Sequence, residues 1–380
     1  MQLVLSEDQE LIAKTAADFV KEKSPVARLR ELRDRRDPDG FSRTLWKEMA
    51  ELGWVGIPFP ESAGGAGLGL AELCVVMEAL GRGLAPEPFL STVLVGGGLL
   101  TLAGDESACD RWLPGVVAGE TILALASQER DSRFDLCRVS TRAEVVDGGF
   151  ALTGEKTQVL DGHVADALVV VARLAGEVRD RDGLGLFLVP RDAPGLEVVR
   201  QHRLDDRNAA LVRLQGVRVP AEAALGTPGR GLELLEPAVD RATVGLCAEM
   251  LGGMQEAFDL TLAHLKSRRQ FGVPIGSFQA LKHRAADLFI EIELSKSVVM
   301  AAARAADAGD PELPRLVSLA KARCTDAYLH VANEAVQMFG GVGMTDEYDI
   351  GFYLKWARAC QMTFGDAACH RDRWARQSGY

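Results

Sequence analysis

"SRRQFGVPIGSFQALKH" (267–283) sets two adjacent arginines, a glutamine, a phenylalanine and a Gly-Val-Pro turn at the approach to a helix. A guanidinium can clamp a phosphate through parallel N–H donors, and an amide beside it can hold a ribose or adenine edge. Standing alone, the stretch reads as a solvated loop between two bundle helices. After it, Phe278, Leu281, Ala285, Leu288 and Ile292 step by three and four residues, the spacing of a bundle seam.

A second stretch, "EAVQMFGGVGMTDEY" (334–348), has the same mixed character. A helix C-cap needs one glycine, whereas Gly340, Gly341 and Gly343 stand together with Gln337 one turn earlier. Three glycines favour close approach of the backbone to something flat or phosphorylated.

Working outward, the first third reads as helical. In "AELCVVMEALG" (71–81), Leu73, Val76, Met77 and Leu80 make one apolar stripe, preceded by a Pro/Gly loop, "PFPESAGGAGLG" (58–69). From Thr121 the texture changes to short β-rich runs such as "TILALAS", "GFALTGEK" and "DALVVVARL", separated by Gly, Asp and Pro. That spacing predicts an antiparallel sheet domain, a sandwich or small barrel, over roughly 121–225. Long helical periods return from Gly231. The expected fold is α+β, with an N-terminal helical domain (1–120), a middle antiparallel β domain (121–228) and a C-terminal four-helix bundle (229–380).

At 380 residues the chain is long for a single core. A formal net charge of −11 argues against a nucleic-acid or membrane-surface role. The seven cysteines lie apart with no CxxC spacing and no histidine at ligand spacing, so reduced thiols are expected and no metal. "MQLVLSEDQELIAK" lacks the basic and apolar regions of a signal peptide. The longest uncharged stretch, "PFLSTVLVGGGLLTLAG" (88–104), is too short and glycine-rich for a membrane span and reads as a buried helix. The expectation is a cytoplasmic protein. Arginine outnumbers lysine 33 to 10, as a GC-rich genome would produce.

In this order and frame the chain closely resembles the acyl-CoA dehydrogenase family. The resemblance spans the whole chain and rests on "PFPESAGGAGLGLAELCVVMEALGR", "LQGVRVPAEAALG" (214–226), "RRQFGVPIGSFQALKH" and "QMFGGVGMTDEY". It implies an FAD-dependent oxidoreductase in which a carboxylate removes the α-proton of an acyl-CoA thioester and flavin takes the β-hydrogen as hydride. It also implies a dimer or tetramer with FAD spanning a subunit boundary, and an acceptor such as an electron-transfer flavoprotein. Carried over position by position, Arg268, Gln270, Phe271, Gln279, Gln337, Gly340 and Gly341 would hold the ADP portion of FAD. Phe352 and Trp356 depart from the family's basic and acidic residues.

The flavin side departs further. Where the family has "TEPxxGSD" this chain has "ASQERDSRFDL" (126–136), with only Ser127 or Ser132 as hydroxyls. "KxWITNG" becomes "KTQVLDG" (156–162): Gln158 replaces the aromatic residue over the flavin and Leu160 a hydroxyl. An apolar Leu leaves a buried flavin polar atom unanswered. Gly365 occupies the place of the usual catalytic glutamate, and Ala242 the alternative place used by some relatives. Asp240 points roughly 200° around the helix from Ala242 and matches a family aspartate associated with substrate binding. The Arg usual three residues after it is Thr243.

Asp366, in "TFGDAACHRDR" (363–373), has two readings. Flanked by Gly365, Ala367 and Ala368, it could be a base with a raised pKa in an apolar pocket. It could instead cap the helix "AACHRDRWARQ", the reading that an Asp followed by helical periodicity favours. His370 and Glu249 read as packing residues. The retained half would serve a neighbour's FAD and the eroded half its own flavin. That asymmetry fits a subunit of a heteromeric α₂β₂ acyl-CoA dehydrogenase, as in actinobacterial relatives acting on steroid side-chain CoA esters. The alternatives are a self-sufficient homomeric dehydrogenase using Asp366 and a flavin monooxygenase on the same fold; the length disfavours an acyl-CoA oxidase.

Overall fold

The computed structural model describes residues 4–380, so the first three residues of the N-terminal stretch lie outside it. In chain order come helices α1 (Glu7–Lys23), α2 (Val26–Asp34), α3 (Arg43–Glu51) and α4 (Leu70–Arg82). A π-helical segment, Phe89–Gly97, leads into α5 (Gly98–Ala103), and α6 (Glu106–Val117) follows. Eight strands come next: β1 (Leu123–Ala126), β2 (Arg142–Val146), β3 (Gly149–Leu160), β4 (Ala167–Arg173), β5 (Leu184–Pro190), β6 (Leu196–His202), β7 (Asn208–Pro220) and β8 (Ala224–Gly229). The long α7 (Leu232–Ser267), a minimal hairpin of β9 (Arg269–Gln270) and β10 (Val273–Pro274), and α8 (Gln279–Asp307) succeed them. Helices α9 (Leu313–Phe339), α10 (Ile350–Met362) and α11 (Ala367–Gln377) end the chain. Helical N-terminal part, middle β domain and C-terminal helical bundle occur in the expected order.

The chain forms two compact units, both discontinuous in sequence. One holds residues up to Arg35, Leu70–Ala85 and Thr243–Tyr380; the other holds Arg36–Gly69 and Pro86–Ala242. In the first, α1 begins with a capping box in which Ser6 and Gln9 satisfy each other's backbone N–H groups. At the start of α4, Asp307, the last residue of α8, accepts the N–H groups of Leu70 at 2.6 Å and Ala71 at 2.9 Å. The predicted seam of α8 is buried at Leu288 and Ile292 and part-buried at Leu281 and Ala285, whereas Phe278 is exposed. Phe278 lies just before the helix, where its ring meets Phe271 edge-to-face at 6.0 Å.

In the second unit the strands run β6-β7-β3-β2-β4-β5-β8, with β1 pairing to β4. The sheet is mostly antiparallel, with two exceptions to the purely antiparallel expectation: β1 is parallel to β4, and β2 meets β4 in a short parallel pair. Parallel neighbours need a connection of roughly a dozen residues or more. The loop and hairpin between Ala126 and Ala167 provide it. All seven residues of β4 are buried, which explains its unbroken "ALVVVAR". Arg173 at its end lies fully inside and donates to the carbonyls of Cys137, Val139, Val178 and Asp180, among others. One guanidinium thereby ties down two loops that bury their backbone oxygens.

The seven cysteines are free thiols. Among the described residues there is no His/Cys/Asp/Glu cluster able to hold a metal, and no helix long and apolar enough to cross a membrane.

Candidate functional site

The hairpin that follows α7 has a two-residue turn, Phe271-Gly272, with φ of +53° and +81°. Positive φ at both central residues is the turn that matches strand twist, and it suits glycine far better than phenylalanine. Phe271 nevertheless occupies it and is 92% exposed. A large apolar side chain is thereby held outward on strained backbone. Arg268, Gln270 and Gln279 around it are all exposed.

The glycine stretch joins the same patch. Arg268 N–H donates to the carbonyl of His264 at 2.8 Å, and the His264 ring stacks on Phe339 at 4.2 Å. Phe339 ends α9, and Gly340 after it sits at φ +68°. A Cβ on Gly340 or Gly341 would meet nothing within 4 Å, so this backbone is open to an approaching ligand. Gln337 is exposed one turn before. The structure therefore brings both signature segments to one exposed face through the His264–Phe339 stack.

The middle domain is closed where these segments are open. Lys156 lies fully buried on β3, 2.8 Å from Glu129 in the loop after β1. Glu129 also accepts the backbone N–H groups of Ser140 and Thr141 and the Thr141 hydroxyl. Burial works against its charge, but Lys156 and these donors outweigh burial and hold its pKa below the usual carboxylate value. Burial pulls Lys156 down to about 8 against the attraction of Glu129. The Ser132 hydroxyl is consumed locally, accepting from the Glu129 N–H and donating to the Glu129 carbonyl. Farther along β3, Gln158 sits exposed at φ +54° in a bulge opposite β7, and Leu160 is part-buried.

The turn between α10 and α11 is closed as well. Asp366 is the N-cap of α11, its Oδ1 accepting the Cys369 N–H at 2.8 Å. Gly365 adopts φ +112°, and a Cβ there would stand 2.8 Å from Nε2 of the buried His370. That ring nitrogen is 3.0 Å from the Phe364 carbonyl, to which it donates in the neutral ring. Burial lowers the His370 pKa to about 4, helped by Lys321. Lys321 is 0% exposed, and its ammonium donates to the carbonyls of Gly365 (2.8 Å), Cys360 (2.9 Å) and Gln361 (3.3 Å). It satisfies the last carbonyls of α10 and pins the turn after it. On α7, Ala242 and Thr243 are buried and Asp240 is 5% exposed.

Lys321 and the Glu129–Lys156 pair had not been singled out from sequence. Lys321 was detectable, since it falls on the buried stripe Val317, Lys321, Cys324, Tyr328, Val331 of α9. Glu249 was read as a packing residue at the core edge. It lies buried and accepts Trp356 Nε1–H at 2.6 Å, so the tryptophan in the family's acidic position has a partner. Phe352 is covered by the guanidiniums of Arg30 and Arg33 at 4.7 and 5.0 Å.

Residues 6–120, 124–217 and 229–379 match, in turn, the N-terminal, middle and C-terminal domains of acyl-CoA dehydrogenase. The mitochondrial 2-methylacyl-CoA dehydrogenase of Solanum tuberosum is 30% identical over 377 residues, 97% of this chain and 90% of that protein. The chain belongs to the acyl-CoA dehydrogenase family. Among solved structures, a variant of the Tcur3481-Tcur3483 steroid ACAD is 32% identical with a TM-score of 0.88, covering 98% of each chain. The ChsE4-ChsE5 complex from Mycobacterium tuberculosis is 27% identical with a TM-score of 0.90, covering all of this chain and 99% of that one.

Acyl-CoA dehydrogenases are FAD-dependent. The two ends of that cofactor find different reception here. The ADP end fits the exposed Arg268 and Gln270, the outward Phe271 and the open Gly340–Gly341 backbone. At the flavin end the Ser132 hydroxyl is closed on Glu129, Ser127 is part-exposed, and Gln158 and Leu160 bring an amide and an apolar side chain.

Proposed function

We propose that this chain is an acyl-CoA dehydrogenase subunit that completes FAD sites together with a catalytic partner and contributes little or no chemistry of its own. The carrying observation is the backbone at Gly365, whose φ of +112° and Cβ position 2.8 Å from His370 Nε2 disfavour a glutamate side chain there. Asp366 next to it is committed to capping α11. The ADP-binding role of Arg268, Gln270, Phe271, Gln279, Gln337, Gly340 and Gly341 is the other half of the reading. These residues sit on an exposed surface, as residues serving a neighbouring subunit's cofactor would.

The oligomer also has a surface to use. Phe289, Ile290 and Leu294 on α8 are 54%, 53% and 50% exposed, an apolar row without cover in the single chain. The two-component names of the steroid ACAD and ChsE4-ChsE5 neighbours support a heteromeric assembly, and the former supports a steroid-type acyl-CoA thioester as substrate. Asp240 keeps the place of the substrate-binding aspartate. An electron-transfer flavoprotein is the matching acceptor class.

The test is the visible spectrum and FAD content of the chain purified alone and with an acyl-CoA dehydrogenase-like partner. A colourless chain that turns yellow only with the partner, at about one FAD per pair, is expected. Full occupancy alone, bleached anaerobically by an acyl-CoA, would overturn the reading and make Asp366 the base to test.

A further inference from the structure

The glycine turn at 340–344 is followed by an irregular segment, residues 345–349, before α10 begins. Two arginines on α2, from the other end of the sequence, hold that segment. Arg33 grips Asp346 with both terminal nitrogens, Nη1 to Oδ1 and Nη2 to Oδ2, each at 2.7 Å. Arg30 stands 2.7 Å from an Asp349 oxygen and 2.9 Å from Oδ2 of Asp346, and it also donates to the Asp346 carbonyl. A two-point contact between arginine and carboxylate fixes direction as well as distance.

The buried ring of Phe352, a departure from the family pattern, forms the floor of this clamp. Both guanidiniums lie over it, and Lys355 Nζ is 5.4 Å from its centroid. All of these residues belong to the first compact unit. A single exposed ion pair contributes little, but bidentate geometry and a network are the exceptions. Arg33, with Arg30 behind it, holds the Asp346 carboxyl down at about 2, so the clamp stays charged at ordinary pH.

Few bonds separate the clamp from the turn. Thr345, next to Asp346, donates its N–H at 3.0 Å and its hydroxyl at 2.7 Å to the Val342 carbonyl. Tyr348, between the two clamped aspartates, meets Phe339 edge-to-face at 5.7 Å. Gly340 and Gly341 carry no side chain to anchor them, so what flanks them sets where their backbone lies.

We propose that Arg30 and Arg33 are positioning residues for FAD, fixing the Gly340–Gly341 backbone through Asp346 and Asp349. The inference rests on the proposed ADP-binding reading and extends it to α2, which carries none of that reading's residues. Neither arginine acts by touching the cofactor. Without the clamp the turn samples other positions, and affinity falls with the fraction of chains in the competent one.

The test is FAD retention by the assembled protein, with its partner or as a homomer, across Arg33→Met, Asp346→Asn and the two combined. Each single variant should weaken FAD about three- to tenfold, and the double variant no further, because either change opens the same clamp. Arg33→Lys keeps the charge without the fork and should restore only part. In the chain alone, amide exchange over 340–345 should quicken while the thermal midpoint barely moves. Tighter FAD in Asp346→Asn would mean that the change frees an arginine for phosphate, and would overturn the proposal. Additive losses, unchanged retention, unchanged exchange or a general loss of stability would overturn it as well. A native assembly that takes up no FAD would instead overturn the ADP-binding reading, and this proposal with it.

Discussion

Two Phe-Gly turns in this chain share nearly the same backbone and have opposite fates. Phe271-Gly272 and Phe364-Gly365 both place phenylalanine in the left-handed region, at φ +53° and +59°, followed by a glycine at φ +81° and +112°. At the first turn the phenylalanine projects outward and nothing approaches the glycine. At the second, the chain's own groups close on the turn, and Gly365 is buried. His370 donates to the Phe364 carbonyl, Lys321 to the Gly365 carbonyl, and Asp366 turns onto α11. A strained turn kept open is poised for a visitor. One stitched to a buried lysine and histidine has become part of the core.

Breaking the closed turn should have the largest effect. Gly365→Glu would force a side chain into left-handed backbone against His370, costing about 3 kcal/mol or more. No dehydrogenase activity should appear in the chain alone. Denaturant unfolding with an acyl-CoA turnover assay checks both; a stable, active variant would undo the contrast.

The closed turn should also carry an acid-sensitive component of stability. The His370 pKa lies near 4 when folded against an ordinary 6.5, so the unfolded chain binds the extra proton first. Its contribution is complete above about pH 6.5 and is lost as pH falls toward 4, at most about 3 kcal/mol. Asp161, raised to about 6 by burial, works in the opposite sense, so native and His370→Gln chains must be compared. Urea midpoints at pH 7 and pH 4.5 should differ less in the variant, and an unchanged difference would remove His370 from the account.

At the open turn, Arg268→Ala should leave the thermal midpoint of the chain alone unmoved, since the side chain is exposed. FAD retained by the assembled complex should weaken about tenfold, measured by dialysis and absorbance. The smallest effect belongs to Asp366→Ala. Loss of the cap should cost about 1 kcal/mol and leave turnover of the complex unchanged. A collapse of turnover with folding intact would restore Asp366 as the base.

Much of this was legible without coordinates. The apolar stripe 71–81 became α4, the β-rich runs became the sheet, and both C-terminal signatures reached one exposed face. The parallel pairing of β1 with β4 was not legible, because strand direction depends on where the chain returns rather than on local pattern. Nor were the partners of Trp356 and Phe352, which come from α7 and α2. A tryptophan where an acidic residue is usual signals only a departure until Glu249 is seen beneath it.

Composition, periodicity and motif order by themselves determined the succession of helical, β and helical segments, and the resemblance carried by the motifs pointed to the kinship. These are properties of local pattern and residue type, which the backbone carries wherever it goes. Tertiary structure alone decided that Gly365 has no room for a side chain, that Asp366 spends its carboxylate on α11, and that Lys321 holds the turn from α9. Each depends on groups distant along the chain, or on a backbone angle, that desolvation and hydrogen bonding select only once the helices have packed.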